Sequence, residues 1–259
     1  MKLTKSMIIA GCALASSLSA QAASVRITAT VESLVNENSV TFAPFHVGFH
    51  SGVYDPFNIG SEASSALATL AETGSGSAWL PAFQAGDPDS VVGTVGGILT
   101  PGQTASSSFV VDTNSNAFFT FAAMVVPSND FFIGNDSPTE YQILDREGNL
   151  LINEIVIGAD EVWDAGSEVF NPEAAAFVGD ASLRVDQNSV IALQFAEFAA
   201  YNGLTTAAGY VFDSQLTANS DIYRVSFTAS PVPVPAALPL FLSAVCGLGV
   251  VARRRKLAS

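Results

Sequence analysis

Two apolar ends bracket this chain, and they decide what the residues between them can fold into. At the C-terminus, Val232-Pro233-Val234-Pro235-Ala236-Ala237 is followed by an uncharged apolar run, Leu238 to Ala252, and then by Arg253-Arg254-Arg255-Lys256. Apolar side chains partition into lipid, whereas a cluster of four cations crosses it only at high cost. Residues 236–252 are therefore expected to form a single transmembrane helix inside a terminal unit, 230–259, with the basic end on the cytoplasmic side. At the N-terminus, Lys2 and Lys5 precede the apolar and small-residue stretch Met7 to Leu18, and Ala20-Gln21-Ala22 supplies a small-x-small cleavage site. That layout is a secretory signal peptide over residues 1–22, cut under the direction of Ala20 and Ala22. A lipoprotein-like box, Ile9-Ala10-Gly11-Cys12, lies too near the start to leave an apolar region before it.

The ends take both cysteines with them, Cys12 and Cys246. The exported body, residues 23–229, travels to an oxidising compartment without disulfides, so an apolar core has to hold it. Of the 10 basic residues only Arg26, Arg146, Arg184 and Arg224 lie in the body, which has no lysine. Set against all 24 carboxylates, these four cations leave a formal charge of −20. A surface of that sign excludes nucleic acid and direct docking on anionic lipid. It admits divalent cations and neutral or cationic partners.

Strand patterns dominate the body, which is long enough for one domain of sandwich size. Val25, Ile27, Ala29 and Val31 alternate with Arg26, Thr28, Thr30 and Glu32, the period of a half-buried strand. Phe42 to Phe49, edged by Pro44, and the pair Ser108 to Val111 and Ala117 to Val126 around the turn Asp112–Ser115 read the same way. Hairpin-like loops are expected at Asp145–Asn149, between Tyr141–Leu144 and Leu150–Ile157, and at Asp186–Ser189, between Ser182–Val185 and Val190–Phe195. Gly209 to Phe212 and Ile222 to Phe227 close the domain. One helix is expected over Ser61 to Glu72, capped by Ser61 and stopped by Gly74, with Ser75 to Gly102 as long loops. The fold class is an all-β antiparallel sandwich with one short helix.

Three segments carry a family resemblance: Val47-Gly48-Phe49-His50-Ser51-Gly52 with the helix ending Leu70-Ala71-Glu72; Val126-Pro127-Ser128-Asn129-Asp130-Phe131-Phe132-Ile133-Gly134-Asn135-Asp136; and Val162-Trp163-Asp164-Ala165-Gly166-Ser167-Glu168. Together they resemble the spondin N-terminal domain in its bacterial form. The tail, in turn, resembles the PEP-CTERM sorting signal in its Val-Pro-x-Pro-Ala variant, with Val234 where the name-giving motif has Glu. The first resemblance implies a β-sandwich similar to calcium-binding lipid-docking modules, a role in adhesion or matrix, and Ca²⁺ ligands at Asp130, Asp164 and Glu168. The second implies recognition of Val232, Pro233, Val234, Pro235 and Ala236, with Arg253, Arg254 and Arg255 behind them, by an exosortase-type membrane protease. The protein is then expected to cross the inner membrane, to be held there transiently by its C-terminal helix, and to reach the cell surface or the exopolysaccharide matrix, with a polysaccharide or matrix protein as partner.

The residues themselves give the calcium reading a physical basis. Ca²⁺ takes six to eight hard oxygen ligands, and loops at one end of a sandwich can supply them. Asp130 follows the strand ending at Val126, and Gly166 permits a tight turn that turns Asp164 and Glu168 toward one point. The alternative is that both aspartates cap their own turns. Phe131 and Phe132 read as core or as an exposed rim of these loops. His46 and His50, four apart on one strand face, read as packing groups or as a metal pair. With two histidines and no lysine or cysteine in the body, acid–base and nucleophilic catalysis have few residues to draw on, and the expectation is no enzyme. A polysaccharide hydrolase and an inert cargo of the sorting system stand as the alternatives.

Overall fold

A computed structural model describes residues 24–232. The signal peptide with Ala20 and Ala22, and the tail from Pro233 onward with its membrane segment, lie outside the described residues. Among the described residues no helix is long and apolar enough to cross a membrane.

The strands are β1 (Ser24–Ser33), β2 (Thr41–Phe42), β3 (Phe45–His50), β4 (Val91–Val95), β5 (Thr104–Asp112), β6 (Phe118–Val126), β7 (Phe131–Gly134), β8 (Tyr141–Gln142), β9 (Glu154–Gly158), β10 (Trp163–Asp164), β11 (Ala192–Leu193) and β12 (Asp221–Pro231). Two helices, α1 (Ser65–Thr73) and α2 (Trp79–Gly86), sit between β3 and β4. One sheet has the order β5-β1-β12-β9, the other β11-β10-β7-β6-β3-β4, with β2 and β8 also pairing β6; every pairing is antiparallel. This is the expected mostly-β sandwich.

Alternation fixes the first sheet. Val25, Ile27, Ala29 and Val31 are buried and meet Val111 from β5 and Tyr223, Val225 and Phe227 from β12 in one core. A one-residue slip would turn every one of these side chains outward, so the register is strongly specified. Aromatic rings join the two sheets: Phe45 of β3 stacks on Tyr223 at 5.1 Å, and Phe119 of β6 meets Phe227 edge-on at 4.9 Å. β6 is almost wholly apolar because both its faces are covered. Phe119, Phe121, Ala123 and Val125 enter the inter-sheet core, while Ala122 joins a second core with Leu67, Leu70, Trp79 and Phe83 of the helices. Gly48 makes this possible, since a Cβ there would lie 2.2 Å from the Phe83 ring.

Several elements depart from the sequence reading. The first helix starts at Ser65 and is capped by Ser64, whose hydroxyl accepts from the Leu67 N–H; Ser61 lies outside it, and Gly74 ends it in the left-handed conformation (φ 70°) as expected. The stretch read as loops holds α2 and β4. Its helix lacks a side-chain cap and carries Pro81, so the local signals were weak; burial of Trp79 and Phe83 stabilises it. The second hairpin, around Asp186–Ser189, does not form. Ala181–Leu183 and Phe195–Tyr201 are 3-10 turns, and Leu183, Val185, Val190 and Leu193 are exposed, so their alternation points at no core. The hairpin-like loop at Asp145–Asn149 does form, closed by the Leu144–Leu150 bridge and by the Asp145 N–H to Asn149 carbonyl and Leu151 N–H to Ile143 carbonyl bonds, but its second arm then leaves to pair β9 with β12. Gly209 to Phe212 keeps one bridge, Thr205 to Val211.

Topology separates two poles. Ser24 lies opposite Asp112, and Val25 opposite Pro231, so both ends of the body leave at one end of the sandwich. The chain turns from β5 into β6 at that same end. The far end of β6 therefore carries the loop to Asp130 at the other pole, where Gly158 of β9 leads toward Asp164.

Candidate acidic site at the far pole

Asp130 is the centre of this pole. It is 1% exposed, because it follows the buried end of β6 and opens β7, whose Phe131 and Phe132 are core residues and form no exposed rim. Its Oδ2 accepts hydrogen bonds from the backbone N–H of Ser167 (2.6 Å), the Ser167 hydroxyl (3.1 Å) and the backbone N–H of Glu168 (3.0 Å). Its own carbonyl accepts from the Ala165 N–H. The turn 165–168 is thus wrapped around one carboxylate. Burial pushes the Asp130 carboxyl above its usual range, while these donors pull it back down.

Asp164 reaches this centre through β10, where it pairs with Phe131 on one side and Ala192 on the other. Its Oδ1 caps its own turn by accepting from the Gly166 N–H at 2.6 Å. Gly166 has φ +68°, and a Cβ there would sit 2.8 Å from the Ser189 carbonyl carbon, so the glycine requirement read from the sequence is met. Burial, then the charge of Asp130, push Asp164 up to about 7.

Glu168 is 3% exposed. Its Oε1 faces the Arg184 guanidinium at 3.4 Å, and its Oε2 is buried with no hydrogen-bond partner. Burial raises its carboxyl to about 7; Arg184 opposes this, Glu72 and Asp130 add to it, and the nearby Asn129 side-chain amide, whose Nδ2 makes no well-aligned bond, pulls it down slightly. A contact of 3.4 Å is long for a charge-assisted bond, which explains why the cation does not offset burial. The turn therefore does not aim Asp164 and Glu168 at one point: the first serves its own backbone and the second faces Arg184.

The sequence reading missed Glu197. It stands in the turn Phe195–Tyr201, its Oε2 is buried and unpartnered, and burial followed by the Asp130 charge raises its carboxyl. No local pattern marks it, since only the tertiary fold brings this turn to the pole. Tyr201 next to it is raised by burial and by Glu197, Asp130 and Asp164 in turn.

The donor set suits a hard divalent cation: Asp130, Asp164, Glu168 and Glu197 offer carboxylate oxygen, and two of those oxygens are buried without a partner. As placed, no three His, Cys, Asp or Glu among the described residues form a group able to hold a metal ion.

The histidines are not a metal pair. His46 hydrogen-bonds Thr94 and the Gly74 carbonyl, while His50 bonds Thr120 and accepts from the Gly52 N–H. Both are buried, and desolvation lowers both, His50 to about 4. The nearby Asp87 carboxylate is occupied by the Ser51 N–H and hydroxyl. No model of a known protein family matches this chain. No curated protein matches it either.

Proposed function

We propose that this chain is an exported, non-enzymatic protein of the cell surface or extracellular matrix, built on a spondin-like, calcium-stabilised sandwich and delivered by a tail that an exosortase-type membrane protease recognises. One observation carries the calcium reading: a buried aspartate, Asp130, shares its pole with Asp164 and Glu168, whose carboxyls are raised to about 7, and with Glu197, also raised, and Glu168 and Glu197 each bury an oxygen without a well-aligned hydrogen-bond partner. Such an arrangement is under electrostatic tension at neutral pH, and a hard divalent cation relieves it. Bound to the folded state alone, the ion stabilises that state. Asp130, Asp164, Glu168 and the adjacent carbonyls would hold it, and it would supply charge neutralisation and cross-linking of three loops.

The non-enzymatic reading rests on how the reactive groups are used. Both histidines serve internal hydrogen bonds, and Ser51 and Asp87 bond each other. The surface reading gains from the poles. Residues leading to the signal peptide and to the tail leave together, so a chain held by its tail carries the acidic pole farthest from the membrane. There it is free to meet a polysaccharide or a matrix protein.

The test is a melting curve of the full chain in detergent, with millimolar Ca²⁺ and with chelator. Ca²⁺ should raise the melting temperature; identical curves would end the calcium reading. Incubation with exosortase-bearing membranes should shorten the chain near Pro233, and replacement of Pro233 and Pro235 by alanine should leave it whole.

A further inference from the structure

We propose that a groove at the end of the sandwich where the chain leaves is the seat of this chain's own residues 233–236, so that the folded body shelters the segment beside which the protease cuts. The sheltering rests on the sorting reading above; the seat itself does not. The groove, about 450 Å³, is walled by Val25 of β1, by Ala229 and Pro231 of β12 and by the turn 147–150. It is open because β9 is shorter than β12. Ser226 pairs with Glu154 and the Phe227 N–H donates to the Asn153 carbonyl, but beyond them β12 runs on without a neighbour on that side. Alternation puts Ala229 and Pro231 on the face of Val225 and Phe227, which is the core face, yet both stand exposed. By the same antiparallel alternation the Ala229 N–H and carbonyl point to the open side. The opposite wall is firm. The Asp145 carboxylate accepts from the Asn149 N–H and side-chain amide, each at 2.8 Å, and a Cβ on Gly148 would lie 2.6 Å from Val25 Cγ2. Val25 and Leu150 both pack in the main core, so the groove is an unfilled extension of that core.

The segment that starts at this groove is the tail. With cleavage after Ala22, Ala23 alone precedes Ser24, whereas Pro231 is followed by Val232-Pro233-Val234-Pro235-Ala236-Ala237, uncharged and apolar. Val232 is already half-buried, although residues 228–231 are exposed. Pro231, Pro233 and Pro235 fix their own φ and hold Val232 and Val234 extended, so the segment loses little freedom on docking. At about 3.1 Å per residue, Pro235 lies within about 12 Å of Pro231, and this short tether keeps the segment concentrated at the groove. A proline-rich cover also suits an open strand edge, since it brings few N–H groups of its own for another chain to pair with.

The test is the rate at which a maleimide labels a cysteine placed in the segment. The full chain in detergent carries Val234→Cys, with Cys12→Ala and Cys246→Ala so that it has one thiol. Folded, it should label about tenfold more slowly than in denaturant, since the contact has to open before the reagent enters. Ala229→Trp fills the groove from an exposed position and should restore most of the fast rate. Asn149→Trp fills it from the opposite wall, and decides if melting shows that the first variant does not fold. Exosortase-bearing membranes should cut both variants faster than the parent. Equal labelling of folded and denatured chain would end the proposal. So would slow labelling that neither tryptophan relieves, which is the mark of shielding by detergent. A concentration-dependent dimer abolished by Ala229→Trp would give the groove to a second copy and end it as well. If labelling behaves as expected but the membranes cut neither parent nor variant, the seat stands and the sorting reading alone falls.

Discussion

The sheet β5-β1-β12-β9 and the segment 159–213 keep their shapes by different means. In the sheet, β1 pairs along its length with β12 on one side and β5 on the other, and its inward residues share one apolar core. The segment has only the two-residue strands β10 and β11, three 3-10 turns and isolated bridges; Val162, Trp163, Ile191, Phe198, Tyr201 and Phe212 anchor it in the two cores, while Val185, Val190 and Leu193 stand exposed. Between those anchors its turns are shaped by side chains that reach the backbone: Asp130 to residues 167 and 168, Asp164 to 166, Asn129 to the Asn171 N–H, and Gln187 to the Glu168 carbonyl. Apolar periodicity makes a frame; polar capping makes a pole that a cation or a proton can stabilise or loosen.

The largest effect should come from breaking the frame. Phe45 is 1% exposed and stacks on Phe121 at 5.0 Å and on Tyr223 at 5.1 Å, linking both sheets. Phe45→Ala should cost about 3–5 kcal/mol in denaturant unfolding, from lost burial and the cavity left behind. It should lower the melting temperature equally with and without Ca²⁺, since the pole is not touched. A calcium-dependent loss would show that frame and pole are coupled.

Next comes the turn of the pole. At φ +68°, and with backbone atoms of Ser189 and Val190 lying 2.8 to 3.0 Å from where a Cβ would stand, Gly166→Ala is strained in both conformation and space. It should destabilise by more than about 1 kcal/mol and, unlike Phe45→Ala, also reduce the calcium-induced rise in melting temperature. Asp164→Asn does the opposite in chelator. The amide oxygen can still accept from the Gly166 N–H, but a repelling charge beside Asp130 is gone. At pH 8 without metal the variant should melt higher than the parent, and its response to Ca²⁺ should largely vanish.

The contrast between frame and pole also explains what was legible in the sequence. Val25 to Val31 announced β1 because one residue in two faces the core, and Gly74 and Gly166 stood where the chain needs a left-handed residue. Asp130, Asp164 and Glu168 were correctly read as neighbours at one pole, yet their aim was not. Asp164 had to serve its own turn, and Arg184, sixteen residues beyond Glu168, took that side chain away. Glu197 carried no local signal, and neither did α2, whose stability comes from Trp79 and Phe83 against the second core. Alternation misled in Ser182–Val185 and Val190–Phe195, where valine and leucine stand in solvent.

pH separates the two regions further. Asp164 and Glu168 titrate near 7 in the folded chain and near 4 when unfolded, so the folded state binds more protons between these values. Their favourable contribution is complete below about 4 and is lost as pH rises through about 7. His50, buried in the frame between β3 and α2, runs the other way. Its folded value of about 4 lies below the ordinary 6.5, so its contribution is complete above 6.5 and is lost as pH falls through about 4. In chelator two raised carboxyls oppose one lowered histidine, so melting temperature should fall as pH rises from about 4 to 7. Asp164→Asn should flatten the curve, leaving Glu168 against His50 over that window. A variant curve parallel to the parent's would contradict the assignment of the slope to the pole.

The smallest effect compares two arginines. Arg224 lies on the outer face of the frame, 2.8 Å from Glu32 and 3.0 Å from Glu154, with all three side chains between about a third and a half exposed. Water screens such pairs, and its Nε meets Glu154 without an aligned hydrogen bond. Arg224→Met should cost less than about 1 kcal/mol, and less still in high salt. Arg184 is farther from its partner, at 3.4 Å, yet Glu168 is buried. Removing that cation leaves a carboxylate with no counter-charge, so Arg184→Met should be the more damaging of the two at pH 8 in chelator. The two variants should converge at about pH 5, where Glu168, raised to about 7, is protonated and needs no cation. Added Ca²⁺ should leave Arg224→Met unchanged. If Arg184→Met proves as mild as Arg224→Met at pH 8, the pole is as well solvated as the sheet face, and the tension ascribed to it is absent.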